Sequence, residues 1–431
     1  KNKKIHHINT DSDSVKPICA GTGLQSVRVF PTDTPDRITA KIILPMPVPQ
    51  IAERQGLMAH YVEHLAWLNS VGNKDRDADR ESNAWTTPLA VGYWLTGAPE
   101  DLPEILQTLT AVFDPIGLPR EFAEQERDIL QREYDFRLRE NTAARASIAL
   151  DGVLYEGDIR ANSPAGTPEE IAALSYDEAL DFHAATHRAE RATLIVSGDI
   201  SERAVYRALH ELDLPDLPDD PAPSGNLAFS MAGPEDNLLR FADPDTPTWL
   251  IWRRVAEIDP GASYDLLEAQ GALLSNILTT SLPGGLAGPL RYDAQIAQSF
   301  SVDIWPLDDN HIGLQFVAAP DQGVTLAGVQ EAFAAALVAT ADAGIPSKTY
   351  DRVQKRFDGY WPDWSNAPDT EQWMASYVED RVSQQRVALG RRDLQDLNTQ
   401  FSLAAENRLL TALAGGGRDA IAFIGNEDQF E

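Results

Sequence analysis

Cysteine is nearly absent: Cys19 stands alone in 431 residues. That excludes any intrachain disulfide and leaves the redox compartment undecided. Basic residues are also in short supply, with 36 Lys and Arg against 66 Asp and Glu, for a formal net charge of -30. A nucleic-acid binder needs a basic face to meet phosphate, so that class is not expected. The same acidity permits attraction of basic peptides, and serves equally well as a solubilising surface. No run of about 18 apolar residues occurs, so no membrane-spanning helix is expected. Histidine is scarce too, with only eight.

What remains is ordinary in kind: 43% hydrophobic residues, 9 Trp and 28 Pro. The length is too great for one compact core and fits two or more domains. The chain opens at Lys1 rather than Met. The expectation is a trimmed, mature form, in a bacterial periplasm sooner than in a cytoplasm. Residues 1–22, polar and mixed around His6 and His7, read as a mobile arm.

Regular structure begins at residues 24–30, an alternating strand, and a second strand follows at 38–44 after the turn residues 31–35. Together they read as a hairpin. Next comes the stretch Gly56-Leu57-Met58-Ala59-His60-Tyr61-Val62-Glu63-His64-Leu65-Ala66-Trp67. As a helix it sets His60 and His64 one turn apart on one face. Glu63 adjoins His64 and lies three residues after His60, so its carboxylate reaches the same side.

Neutral imidazole is a good zinc ligand, and a catalytic zinc keeps one position open for water. A nearby carboxylate that is not a ligand can take that water's proton and pass it to a leaving amine. His60, Glu63 and His64 therefore have the composition of a zinc site with a general base. Two histidines leave such a site one protein ligand short, and a carboxylate is a common third. Helical periodicity returns at 102–113 and strongly at 120–139, where Glu126 and Glu133 are two turns apart and share a face. Spacing alone does not choose among Glu121, Glu124, Glu126 and Glu133.

The order His-x-x-Glu-His, the inverzincin pattern, is followed by Asn83-Ala84-Trp85-Thr86 and by Glu126 and Glu133 in a Glu-x6-Glu pair. Together these resemble the pitrilysin or insulinase-type zinc peptidases, which include the mitochondrial processing peptidase. The resemblance implies that Glu133 completes the ligand set with His60 and His64. It also implies that Glu126 supports the site from behind, as carboxylates that orient metal ligands do. Further along, Gly166-Thr167-Pro168-Glu169-Glu170-Ile171 and the strand at 192–199 are similar to the family's closing helix and strand. A second histidine pair, His183 and His187, also has helical spacing but no acid between its members. It reads as packed or solvated.

Residues 215–224, rich in Pro and Asp, read as a linker. A strand at 248–255, a helix at 264–280 and a final strand at 420–424 then parallel the order of the first half, with no second metal motif. The Gly-rich stretch from Pro283 to Arg291 resembles the family's loop leading to a substrate-contacting arginine, but the tyrosine expected seven residues later is Gln298. Trp361, Trp364 and Trp373 read as core.

The expected fold is α+β: two similar halves, each an antiparallel-rich sheet covered by helices. Residues 23–214 form the metal-bearing domain, 215–247 a linker region and 248–431 a metal-free homologous domain. The expected activity is zinc-dependent peptide hydrolysis, with Glu63 as base and Asn83, Ala84 and Arg291 holding a peptide as an added edge strand. The alternative is a metal-binding capture or scaffold subunit. A dimer is expected, with a second copy or with a related metal-free subunit.

Overall fold

A computed structural model describes residues 22–46, 55–72, 81–214, 229–233, 237–357, 361 and 370–431. In the first half, β1 (Ser26–Pro31), β2 (Ile38–Pro45), β3 (Ser82–Thr86), β4 (Ala90–Gly97) and β5 (Thr193–Gly198) form one sheet. Its order is β1-β5-β2-β4-β3, with β1 parallel to β5 and all other neighbours antiparallel.

The expected hairpin of the first two strands is therefore not made. Every residue of β5 is buried, and a strand apolar on both faces belongs in the middle of a covered sheet. It takes the place between β1 and β2. Leu194 and Val196 face one core, Ile195 the other.

Among the described residues, seven α-helices belong to this half: α1 (Gln55–Val71), α2 (Leu102–Thr110), α3 (Arg120–Tyr134), α4 (Thr142–Leu154), α5 (Pro168–Ala172), α6 (Tyr176–Thr186) and α7 (Glu202–His210). All except α4 bury apolar residues in the core on one face of the sheet, among them Leu65, Leu106, Leu130 and Leu209. Thr167 starts α5 with a complete capping box closed by Glu170.

The second half repeats the plan. β6 (Leu238–Ala242), β7 (Trp249–Glu257), β8 (Ala297–Pro306), β9 (His311–Pro320) and β10 (Arg418–Gly425) are ordered β6-β10-β7-β9-β8. Raising each strand number of the first sheet by five reproduces this order. β6 falls inside the 215–247 stretch expected as linker and pairs parallel with β10, as β1 does with β5. A side-chain detail repeats as well. Gly92 faces Trp85 across the first sheet and Gly313 faces Trp305 across the second, and a Cβ at either glycine would come within 2.3 Å of the indole.

The helices of this half are α8 (Tyr264–Leu278), α9 (Leu326–Ala343), α10 (Ser347–Phe357), α11 (Thr370–Ser383), α12 (Arg391–Leu397) and α13 (Leu403–Ala414). α9 is long and apolar enough, by length and composition, to cross a membrane. It places Val329, Phe333 and Leu337 in the second core.

Each half lends a helix to the other. α4 lays Ala146, Leu150 and Leu154 against Val255, Ala420, Ala422 and Ile424 of the second sheet. α11 lays Met374, Tyr377 and Val378 against Phe30, Ile43 and Ile195 of the first. Trp361 and Trp373 join that core edge to face, their ring centroids 5.8 Å apart. Trp364 lies outside the described residues, as do residues 1–21 of the expected arm and the 215–224 linker. Polar ties cross at the same places. Arg253 binds Asp151 at 2.7 Å, and the Gln385 amide donates to the carbonyls of Met46 and Leu89 at 2.9 and 2.8 Å.

Candidate metal centre

The metal helix α1 buries Val62 and Leu65 in the first core and turns His60 and His64 away from them. Its first turn needs glycine. A Cβ on Gly56 would lie 2.3 Å from the Asn162 carbonyl oxygen, so only glycine lets the helix run this close to the 162–164 backbone. That closeness places the Pro164 carbonyl where His60 Nδ1 donates to it at 3.1 Å. α3 is registered against α1 by the Tyr61 hydroxyl, which donates to the Ala123 carbonyl at 2.8 Å.

This register brings the glutamate pair to the histidines. His64 Nδ1 donates to Glu126 Oε2 at 2.9 Å. With both Nδ1 atoms so engaged, each imidazole carries its free lone pair on Nε2. His60 Nε2 lies 3.8 Å from Glu133 Oε2, and His64 Nε2 lies 3.8 Å from Glu133 Oε1. The two rings meet edge to face, 4.9 Å between centroids.

One ligand atom from each of His60, His64 and Glu133 falls within 4.8 Å of the others. Ligands about 2.1 Å from a tetrahedral zinc stand roughly 3.4 Å from one another, so small side-chain adjustments would close the set. Two imidazole nitrogens and a carboxylate are a catalytic zinc donor set. The residues present fit the ion.

Glu63, on the same helix, is buried, and its Oε2 accepts a 2.8 Å hydrogen bond from Thr86 Oγ1. Burial raises its pKa, against the opposing pull of the His64 charge and of the Thr86 hydroxyl. Burial and the charge of neighbouring His64 lower His60 to about 4. Burial would lower His64 as well, but the Glu126 hydrogen bond and the charges of Glu63 and Glu133 outweigh it and the net shift is upward.

These groups open onto a cavity of about 930 Å³, whose wall includes β3. Asn83 and Ala84 lie on that strand, which is the edge of its sheet and has no further neighbour among the described residues. Arg291 is not brought to this cavity. It sits exposed in a π-helical turn, Gly288–Tyr292, with its guanidinium 5.6 Å from the ring centre of Tyr292. Gln298 is likewise exposed, at the start of β8.

The second histidine pair is packed. His183 Nε2 donates to the Val112 carbonyl at 2.8 Å, and His187 Nε2 shares a 2.7 Å hydrogen bond with the Tyr93 hydroxyl. Burial lowers the pKa of both.

Three contributors carried no role in the sequence reading. The Pro164 carbonyl has no sequence signal, because it is backbone brought in by the fold. Thr86 shares a strand face with Ala84, and Arg137 follows Glu133 at one helical turn. Those spacings were the available clues.

No protein-family model matches the sequence, and the curated proteins contain no match to it. Solved structures do match, an M16-like peptidase, an M16 peptidase inactive domain and pitrilysin among them, and the fold of this chain is theirs. A protease from Helicobacter pylori has a TM-score of 0.74 at 14% identity, covering 96% of this chain and 99% of that one. The first half of the periplasmic protease PqqL from Escherichia coli has a TM-score of 0.71 at 13% identity, covering 97% and 93%. An M16 peptidase inactive domain from Pseudomonas fluorescens has a TM-score of 0.70 at 14% identity, covering 97% and 99%.

Proposed function

We propose that the chain is a zinc metalloendopeptidase of the pitrilysin/insulinase type, acting on peptides or unfolded segments. The observation that carries this reading is the convergence of both free imidazole Nε2 atoms on Glu133, each at 3.8 Å. His60, His64 and Glu133 would hold the ion, and Glu126 would orient His64. A bound zinc supplies the Lewis acidity that polarises a carbonyl and makes water nucleophilic near neutral pH.

The chain's own residues do the rest. Glu63, a non-ligand carboxylate beside the site, takes the proton of the attacking water and returns it to the leaving amine. The β3 edge, with Asn83 and Ala84, holds the substrate main chain as an added strand, so affinity does not depend on a fixed sequence. Residues 23–214 are the metal-bearing unit, and 248–431 together with β6 its metal-free counterpart. The proposed assembly is a dimer, of two copies or with a related metal-free subunit. Arg291 contacts substrate only within such an assembly, because it does not line the cavity of the single chain.

A second reading is a metal-binding capture or scaffold subunit. The likeness to an inactive M16 domain favours it. Zinc content and cleavage of a quenched peptide, measured for the wild type and Glu63→Gln, separate the two. The peptidase reading expects zinc in both proteins and a loss of about 10²-fold or more in the variant. Zinc in both with no cleavage by the wild type, alone or with co-purifying partners, would establish the capture reading instead.

A further inference from the structure

α3 does not end at Tyr134 but runs on as a π-helical turn, Asp135–Arg139. Such turns re-aim side chains and are frequent at functional sites. Arg137, one turn beyond Glu133, lines the metal cavity and also a small recess of about 90 Å³ beside it, between His60, Tyr134 and Ala165. Among the described residues it is the one Lys or Arg in the cavity wall.

Its engagement there is slight. The side chain is 68% exposed, and its one ion pair among the described residues is with Glu133 Oε2 at 3.7 Å, beyond normal hydrogen-bond length. A guanidinium has five N–H donors in a planar fork shaped for a carboxylate. Glu133 engages few of them. The acids of the wall are Glu63, Glu126 and Glu133, beside His60 and His64, and the whole chain carries -30. A peptide carboxylate arriving here is repelled by most of the protein. Arg137 is the one Lys or Arg among the described wall residues to receive it.

We propose that Arg137 is a specificity-determining residue, selecting peptides that carry a carboxylate near the bond to be cleaved. That carboxylate is an acidic side chain or the peptide's own C-terminus, and one guanidinium fork recognises both. The proposal rests on the peptidase reading. Its rival is a purely electrostatic role in which Arg137 screens Glu133 and touches no substrate.

The test uses the zinc-loaded Glu63→Gln protein, so that binding is read without turnover. Three peptides share one core: an internal Glu with an amidated end, an internal Gln with a free C-terminal carboxylate, and an internal Gln with an amidated end. At least one carboxylate peptide is expected to bind about ten-fold tighter than the neutral one, the worth of a charge-assisted hydrogen bond. Which one binds tighter identifies the source. Adding Arg137→Gln is expected to abolish the preference while neutral-peptide affinity and zinc stoichiometry hold, and Arg137→Lys to keep part of it. Equal binding of all three peptides, binding of none, or a uniform loss together with zinc in Arg137→Gln would overturn the proposal. A wild type that cleaves nothing would count against the peptidase reading and leave this binding comparison intact.

Discussion

Thr86 Oγ1 donates to Glu63 Oε2 at 2.8 Å, joining the last residue of the edge strand to the middle of the metal helix. A hydrogen bond to a buried carboxylate fixes which way its second oxygen points. Thr86→Val keeps the shape and removes the donor. Losing a bond to a charged group costs about 1.5–3 kcal/mol, so kcat should fall about ten- to a hundred-fold. KM and zinc content should hold, and Thr86→Ser should recover most of the rate. A valine variant with wild-type kcat would remove Thr86 from the machinery.

Glu126 and Glu133 differ in what they touch, and their variants should differ accordingly. Glu126 meets only the back of His64, whereas Glu133 faces both free imidazole nitrogens. Glu126→Ala should weaken zinc about 10- to 100-fold, the usual effect of removing an orienting partner. Glu133→Ala should weaken it further, since a ligand is lost outright. Competition against a chelator reads both. Equal losses would erase the distinction between ligand and supporter.

The packed pair His183 and His187 should make the fold acid-sensitive. Burial holds His187 well below its ordinary 6.5. The unfolded chain then binds more protons than the folded one, so stability present above pH 6.5 is lost as pH falls below it. Urea midpoints should drop between pH 7 and pH 5, and His187→Gln should flatten part of that slope. An unchanged slope would show that another group controls it.

Glu406 predicts the opposite trend. It is fully buried in α13, neither carboxylate oxygen has a hydrogen-bond partner among the described residues, and burial raises its pKa well above 4.5. The folded state therefore holds this proton more tightly than the unfolded one. Stability contributed below pH 4.5 is lost as pH rises toward the folded value. Glu406→Gln, which mimics the protonated acid, should match the wild-type melting temperature near pH 4 and exceed it increasingly toward pH 8. A variant melting lower than wild type at pH 8 would contradict this.

The helix carrying His60, Glu63 and His64 was legible because three chemistry-bearing residues fell on one helical face. The strands at 24–30 and 38–44 were legible by alternation, but their pairing was not. β1 binds β5, whose residues lie more than 160 positions on, and no local pattern encodes such a partner. β6 escaped notice because it is five residues long, largely half-exposed and set among Pro and Asp. The roles of Glu126 and Glu133 came from the family resemblance, because spacing could not supply the helix register that the Tyr61 contact sets. The place of Arg291, outside the cavity, depends on how one half sits against the other.

The lending of α4 and α11 between the halves bears on how such a chain could arise. A single half that kept its own plan but gave up that helix would expose one face of its sheet, and two such halves would each supply what the other lacks. A pair of identical chains with one exchanged helix would therefore already hold both cores. Joining them end to end adds no new contact. It replaces a meeting between molecules with a closure within one, at a high effective concentration. One half is then free to shed its metal ligands while the helix it lends keeps the other half folded.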